Sequence, residues 1–278
     1  MVKEAASLLK FLTAQLEGWT RNKVKKRLQS GCVAVNGELV SRHDHALRVG
    51  DVVEVRAMLK GGRGGTPQLE ILYSDRALIA INKPADLLSV ASAREGRHHA
   101  LAILRNQLSR PKRPVKLWPV HRLDRDTSGV LLFATSREIR EAVAAVWPEA
   151  EKTYMALVDG CPSPSKGTID QPLWVDPKVN HVHVGPHRDA KRAVTHFETR
   201  RIVAGRALLN IQLETGRQHQ IRAHLAWLGH PIIGDNRYGT GGARLGLHAL
   251  RLSITRPETG RRLIFEAPVP DDFSALLG

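Results

Sequence analysis

Ten residues, "LKGGRGGTPQ" (59–68), constrain the folding of this chain more than any other stretch. Four of them are glycine and apolar side chains are scarce, so the stretch has no face to bury and reads as a flexible linker. It divides 278 residues into a short basic segment and a long strand-rich one, which suits two domains of unequal size. The predicted boundaries are 1–57 for the first domain, 58–68 for the linker and 69–278 for the second. From Leu69 onward, the runs "LEILYS", "ALIAIN", "GVLLFA", "TYMALV", "AVTHFE" and "ALLNIQL" have the length and composition of strands. One helix pattern stands among them, "HQIRAHLAWLG", with Ile221, Leu225 and Leu228 on one face and Gly229 placed to end it. No repeat of solenoid period is visible. The second domain is therefore expected to be of α+β class, on a mixed, mainly antiparallel sheet.

The segment 1–57 carries its own pattern. "SLLKFLTAQL" places Leu8, Leu9, Leu12 and Leu16 at helical spacing. In "TRNKVKKRLQSG", Thr20 suits an N-cap and Gly31 a C′ position. Val24 and Leu28 share one face of that helix, while Arg21, Lys23, Lys25, Lys26 and Arg27 fill the rest. "CVAVNGELV" puts Asn36-Gly37 between short apolar runs, a hairpin-turn signal, and "VGDVVEV" supplies a further strand. The expected product is a small αβ module with one cationic face.

Charge narrows the partners. A formal net charge of +15 and a pI near 10.4 attract polyanions, meaning nucleic acid or an anionic membrane. No apolar run approaches the ~20 residues of a membrane span, and no signal peptide opens the chain, so membrane residence is disfavoured. Cys32 and Cys161 lack metal-ligand spacing and suit a reducing cytoplasm. Nucleic acid is the leading partner.

The stretch "HRLDRDTSGVLLFA" (121–134) concentrates candidate chemistry. Thr127-Ser128-Gly129 reads as a turn and Val130–Ala134 as a buried strand, so Asp124 and Asp126 lie in a loop before a rigid element. Loop acids on their own usually cap turns or pair with nearby arginines. Here other motifs accompany them. "HRLDRDTSGVLLFA" resembles the signature of the Rlu-type (RluA) family of pseudouridine synthases. "KTYMALVDG" (152–160) resembles the family's second motif, and "LETGRQHQIRAHLAWLGHPIIGDNRYG" (213–239) its third. "INKPADLLSV" (81–90) and "GLHALRLSI" (246–254) resemble its entry strand and a strand near its end. The segment 1–57 resembles an S-four-like RNA-binding domain, which commonly precedes this catalytic domain. Several motifs in the expected order carry far more than one short pattern.

The resemblance implies isomerisation of uridine to pseudouridine in RNA, without metal or cofactor. It implies that Asp124 is the reacting carboxylate, as nucleophile or as stabiliser of cationic character at the sugar. Arg222 of "HQIR" is implied to pair with it, and Tyr154 to face the uracil and assist loss of the proton from carbon 5. Arg122 matches a position associated with filling the space of the flipped nucleotide, and Ile221 the apolar floor of the pocket. Asp126 is expected at a turn or the surface, and Lys152 and His219 are expected in packing and phosphate contacts. His181, His183 and His187 are expected on an exposed strand and turn rather than around a metal. The basic stretch 94–122 could track RNA or be a solvated helix with a basic loop. Asp86 in "NKPAD" replaces a glycine usual in the family. Ribosomal RNA is the expected substrate ahead of transfer RNA, in the cytoplasm, with no obligate protein partner implied. The rivals are a non-catalytic RNA-binding or ribosome-assembly factor and a base-flipping hydrolase that releases uracil.

Overall fold

The computed structural model describes every residue except 1, 3, 5, 17–19, 22, 23, 25–27, 29–32, 37, 41, 42, 56–67, 92–98, 112 and 278. Lys23, Lys25, Lys26 and Arg27, with Gly31, Cys32, Gly37 and most of the predicted linker, lie outside the described residues. The chain forms two compact units, Met1–Gly65 and Thr66–Gly278.

In the first unit, strand β1 (Ala6–Ser7) leads into a helix, Leu8–Gln15. Strands β2 (Val33–Val35), β3 (Glu38–Leu39), β4 (Ala46–Leu47) and β5 (Val53–Val55) follow. β2 lies between β3 and β5, and β1 pairs with β4, all antiparallel. Leu8, Leu12, Val24, Leu28, Val33, Val35 and Leu47 make the core, so the apolar spacings of both helical patterns point inward. Asn36 takes a left-handed backbone (φ 52°) and its side-chain amide bonds Asp51 and the Val52 N–H, which fixes the turn. Arg21 is exposed.

The second unit is built on ten strands. They are β6 (Glu70–Ser74), β7 (Leu78–Lys83), β8 (Trp118–Pro119), β9 (Ser128–Ala134), β10 (Glu151–Asp159), β11 (Lys166–Asp170), β14 (Val194–Val203), β15 (Arg206–Leu213), β16 (Leu247–Thr255) and β17 (Arg262–Glu266), with β12 (Leu173–Asp176) and β13 (His181–Val184) forming a separate hairpin. The sheet runs β11-β14-β15-β10-β16-β9-β7-β6, with β17 on β16 and β8 on β9. This is the mixed, mainly antiparallel α+β arrangement expected. The one parallel pair among the described strands, β9 with β16, joins the two halves of the sheet.

That seam explains the sequence of β9. All seven of its residues are buried, as a strand covered on both faces requires. Gly129 faces Ala249 across the seam, where an added Cβ would sit 2.2 Å from the Ala249 carbonyl oxygen, so no larger residue fits. Ser128 is pinned beside it, its Oγ 2.8 Å from His248 Nδ1 and accepting from Arg244 Nη2 at 3.0 Å.

Helices cover the sheet. Ala100–Leu108 buries Leu101, Ile103 and Leu104 with Ile81, Leu131 and Phe133. The basic stretch 94–122 is therefore not wholly solvated. Helix Arg137–Val146, capped by Ser136, buries Val143 on the opposite face of β9 with Val130 and Leu132. Ile139, Val143 and Val146 fall on one face of its ten residues, an apolar stripe at helical spacing that the sequence reading passed over. Helix Gln220–Trp227 carries Ile221 and Leu225 into a third cluster with Ala156, Val158, Leu209 and Ile211, and Gly229 (φ 89°) ends it as expected.

Candidate active site

The loop ahead of β9 is fastened on both sides of Asp124. On one side, Ser89 Oγ donates to the Leu123 carbonyl (2.7 Å) and accepts from the Leu123 N–H (3.0 Å). On the other, the fully buried Lys83 donates from Nζ to the carbonyls of Arg125 (2.9 Å), Leu87 (2.7 Å) and Pro84 (2.8 Å). Burial pushes the Lys83 ammonium down to about 7, against the pull of Asp126, Asp124 and Asp86. Three carbonyl acceptors match the three hydrogens of an ammonium, so the charged form is the one that fits this nest. His121, at the start of the loop, accepts the Leu132 N–H at Nε2 and stacks on Trp147. Burial and the nearby Lys152 push it down to about 4, so it is neutral near pH 7.

Helix Gln220–Trp227 brings Arg222 to this loop across nearly a hundred residues of chain. Arg222 Nη1 donates to Asp124 Oδ2 at 3.2 Å. Its other two nitrogens form a fork on Asp235, from Nε to Oδ2 and from Nη2 to Oδ1, both at 2.8 Å. Asp235 is fully buried, whereas the Asp124 side chain keeps 27% of its exposure. Burial raises the Asp235 carboxyl, and Arg222 with the N–H groups of Arg237 and Tyr238 reverses this, leaving it below the ordinary carboxylate range. Burial opposes the charge on Arg222, and Asp235 then Asp124 hold it above its ordinary value. Asp235 follows Gly234, whose φ of +74° and approach to the Arg244 carbonyl exclude a side chain. Sequence reasoning gave Asp235 and Lys83 no role. The signal was present in a lone acid and a lone lysine beside glycine or proline in quoted motifs, but nothing local marks either as buried.

Tyr154 lies on β10 where two apolar clusters meet, packed against both. Its hydroxyl finds no hydrogen-bond partner among the described residues. Burial, then the charge of Asp124, raises its pKa, so it stays protonated. Ile221 is buried in one of the same clusters. Arg122 is exposed on the loop. Lys152 sits over the Trp147 ring, 5.7 Å from its centroid.

Asp126 lies in a bend of the loop, as expected of a turn residue, and is partly buried; burial followed by the nearby Asp86 carboxylate raises its pKa. Asp86 itself adopts a left-handed backbone (φ 60°), which accounts for glycine as the usual residue there. A cavity of about 230 Å³ opens beside this pair, lined by Pro84, Asp86, Asp126, Asn236, Arg244 and Asp272, but Asp124, Tyr154 and Arg222 do not line it. The histidines lie where expected, His181 and His183 half-buried on β13 and His187 exposed in the turn after it. Trp174 of β12 stacks on His183 and His187, with centroids 4.4 and 4.2 Å away, and His181 packs on both His183 and Tyr238.

Known proteins share this arrangement of chain. The family described as RNA pseudouridylate synthase matches residues 77–227, and that described as S4 domain matches residues 7–53. An uncharacterized RNA pseudouridine synthase of Bacillus subtilis, YlyB, is 33% identical over 287 residues, covering 96% of this chain and 92% of its own. A ribosomal large subunit pseudouridine synthase D of Vibrio cholerae is 33% identical over 278 residues, covering 91% of this chain and 85% of its own. Among solved structures, human RNA pseudouridylate synthase domain containing 4 superposes with a TM-score of 0.61 at 27% identity, over 74% of this chain and 90% of that one.

Proposed function

The chain belongs to the RNA pseudouridylate synthase family and isomerises uridine to pseudouridine in RNA, and from that premise we propose that Asp124 is its reacting carboxylate. The observation that carries this reading is the 3.2 Å contact from Arg222 to Asp124, made by a guanidinium already locked on Asp235. A carboxylate among RNA phosphates needs a fixed cation beside it, and Arg222 supplies one.

The reaction breaks the bond from N1 of uracil to C1′, turns the base and joins C5 to C1′. C5 loses a proton and N1 gains one, so mass is conserved. Asp124 attacks C1′ or stabilises its cationic character while the base is detached. Tyr154 faces the base as a neutral ring and hydroxyl. Because that hydroxyl rests protonated, it can take the C5 proton only by passing its own to another acceptor. The target must first leave its stack at a cost of a few kcal/mol, and exposed Arg122 is placed to fill the vacated space while Ile221 supports the apolar floor.

The relatives named ribosomal large subunit pseudouridine synthase D support ribosomal RNA as the substrate, modified in the cytoplasm. No helix among the described residues is long and apolar enough to cross a membrane. The S4 domain grips the RNA, with exposed Arg21 and the neighbouring Lys23, Lys25, Lys26 and Arg27 as its cations.

The test is conversion of uridine in ribosomal RNA transcripts, read as carbodiimide-reactive pseudouridine. Asp124→Asn should abolish conversion while RNA affinity stays within about threefold, since a rim carboxylate is no phosphate ligand. Near-normal turnover by this variant would remove Asp124 from its role. Release of free uracil by the wild type would favour the hydrolase instead.

A further inference from the structure

His219 stands at the N-cap of helix Gln220–Trp227 with a left-handed backbone, φ 49° and ψ 21°. Non-glycine residues rarely occupy that region, and where they do the surrounding structure holds them there. Here the backbone turns the imidazole between two partners. Nδ1 lies 2.9 Å from the Tyr238 hydroxyl, and Nε2 lies 3.9 Å from Asp124 Oδ2.

The tautomer follows from Tyr238. Its hydroxyl accepts the Val182 N–H at 3.1 Å, and its own proton has His219 Nδ1 as acceptor among the described residues. Nδ1 is then unprotonated, and the proton of the neutral ring sits on Nε2, the nitrogen facing Asp124. Burial favours the neutral ring, Asp124 and Asp235 oppose this, and Arg222 and Arg237 reinforce it. Tyr238 also lies under the Arg222 guanidinium, 5.3 Å from its centroid, so one side chain steadies both partners of Asp124.

The two contacts on Asp124 fall on the same oxygen. Arg222 Nη1 reaches Oδ2, and His219 Nε2 approaches Oδ2, while Oδ1 accepts no hydrogen bond among the described residues. We propose that His219 is a positioning residue which, with Arg222, occupies Oδ2 of Asp124 and so commits Oδ1 to the sugar carbon. At 3.9 Å the histidine contact is longer than a hydrogen bond, and it closes when substrate binds, as contacts in unliganded sites commonly do. The inference rests on Asp124 being the reacting carboxylate.

Two variants of the full-length protein separate this role from a structural one. His219→Asn tolerates the left-handed backbone and keeps an amide near the Nδ1 position, but is too short to reach Asp124. His219→Gln carries its amide nitrogen to the Nε2 position. On a ribosomal RNA transcript, Asn should lower kcat by about 10- to 100-fold with KM within about threefold, and Gln should stay within about fivefold of the wild-type kcat. Wild-type kcat in the Asn variant, or equal losses in Asn and Gln, would overturn the proposal. So would a loss of kcat accompanied by a matching fall in thermal midpoint. Asp124→Asn is assayed alongside. If it is inactive while His219→Asn is normal, the positioning role alone falls; if it turns over, the role of Asp124 falls and this inference with it.

Discussion

The loop Gly234–Tyr238 and the loop His121–Thr127 each put an aspartate on Arg222, and they hold it in opposite ways. Asp235 is fully buried, takes two donors from the guanidinium and two backbone N–H groups, and has little capacity left. Among the described residues, Asp124 takes one 3.2 Å hydrogen bond, stays partly exposed and has an oxygen that accepts none. A carboxylate with every lone pair engaged in a dry site is an anchor, and removing it strands a charge. One with a single fixed cation and open lone pairs can still react. Arg222 needs both, since only a guanidinium immobilised by the first can present a fixed charge to the second.

Exchanging the two acids one at a time breaks or confirms this contrast. Asp235→Asn should cost about 3–5 kcal/mol of stability, the usual penalty for stripping one partner from a buried ion pair. It should also lower activity, because Arg222 loses its anchor. Asp124→Asn should remove turnover and shift the thermal midpoint by no more than about 2 °C, as expected for a partly exposed acid. Denaturant melts of the two variants decide the matter, and equal stability losses would end the distinction.

A smaller effect separates the loops further. The backbone of the Asp124 loop is held by Lys83, whereas Asp235 holds its own loop through its carboxylate. Lys83→Met should leave one buried and two partly buried carbonyls without their donor and destabilise the protein by about 1–3 kcal/mol. Asp124 should then be badly placed, so kcat should fall more than KM. Unchanged kcat in a destabilised protein would show that the lysine supports the fold without aiming the acid.

The Asp124 side of this contrast was far more legible in the sequence than the Asp235 side. Strands appeared as apolar runs because a covered strand has no alternative, and β9 is buried from end to end. Asp124 and Arg222 were carried by ordered motifs. Lys83 could not be singled out, because its burial depends on the Arg125 carbonyl, 42 residues away, and on the loop ending at Leu87. Asp235 was hidden for the same reason, its partner lying a helix away. His219 was expected in packing and phosphate contacts; it does pack on Tyr238, but the direction of its ring depends on a left-handed backbone that no motif announces. The ring stack around Trp174 needed the β12–β13 register, which places Trp174 opposite His183. Periodicity marks which face of an element is buried, but not which distant polar group will meet it there.

Acid titration separates the two loops by window, because they should respond in different pH ranges. His121 titrates near 6.5 when unfolded and about 4 when folded, so between those values the unfolded chain binds more protons. Stability therefore falls as pH drops from 6.5 towards 4, because burial and then Lys152 oppose the charged ring. Asp235 acts lower: its folded value lies below the ordinary 3.8, so its contribution is complete above 3.8 and is lost only as pH falls further. Thermal melts across pH 3 to 7 can separate them. His121→Gln keeps an acceptor but cannot titrate, so its midpoint should decline less steeply than wild type between 6.5 and 4. Asp235→Asn should run parallel to wild type in that range and converge on it below 3.8, having no carboxylate left to protonate. Identical slopes for wild type and His121→Gln would mean that the reacting loop is not anchored by a neutral imidazole.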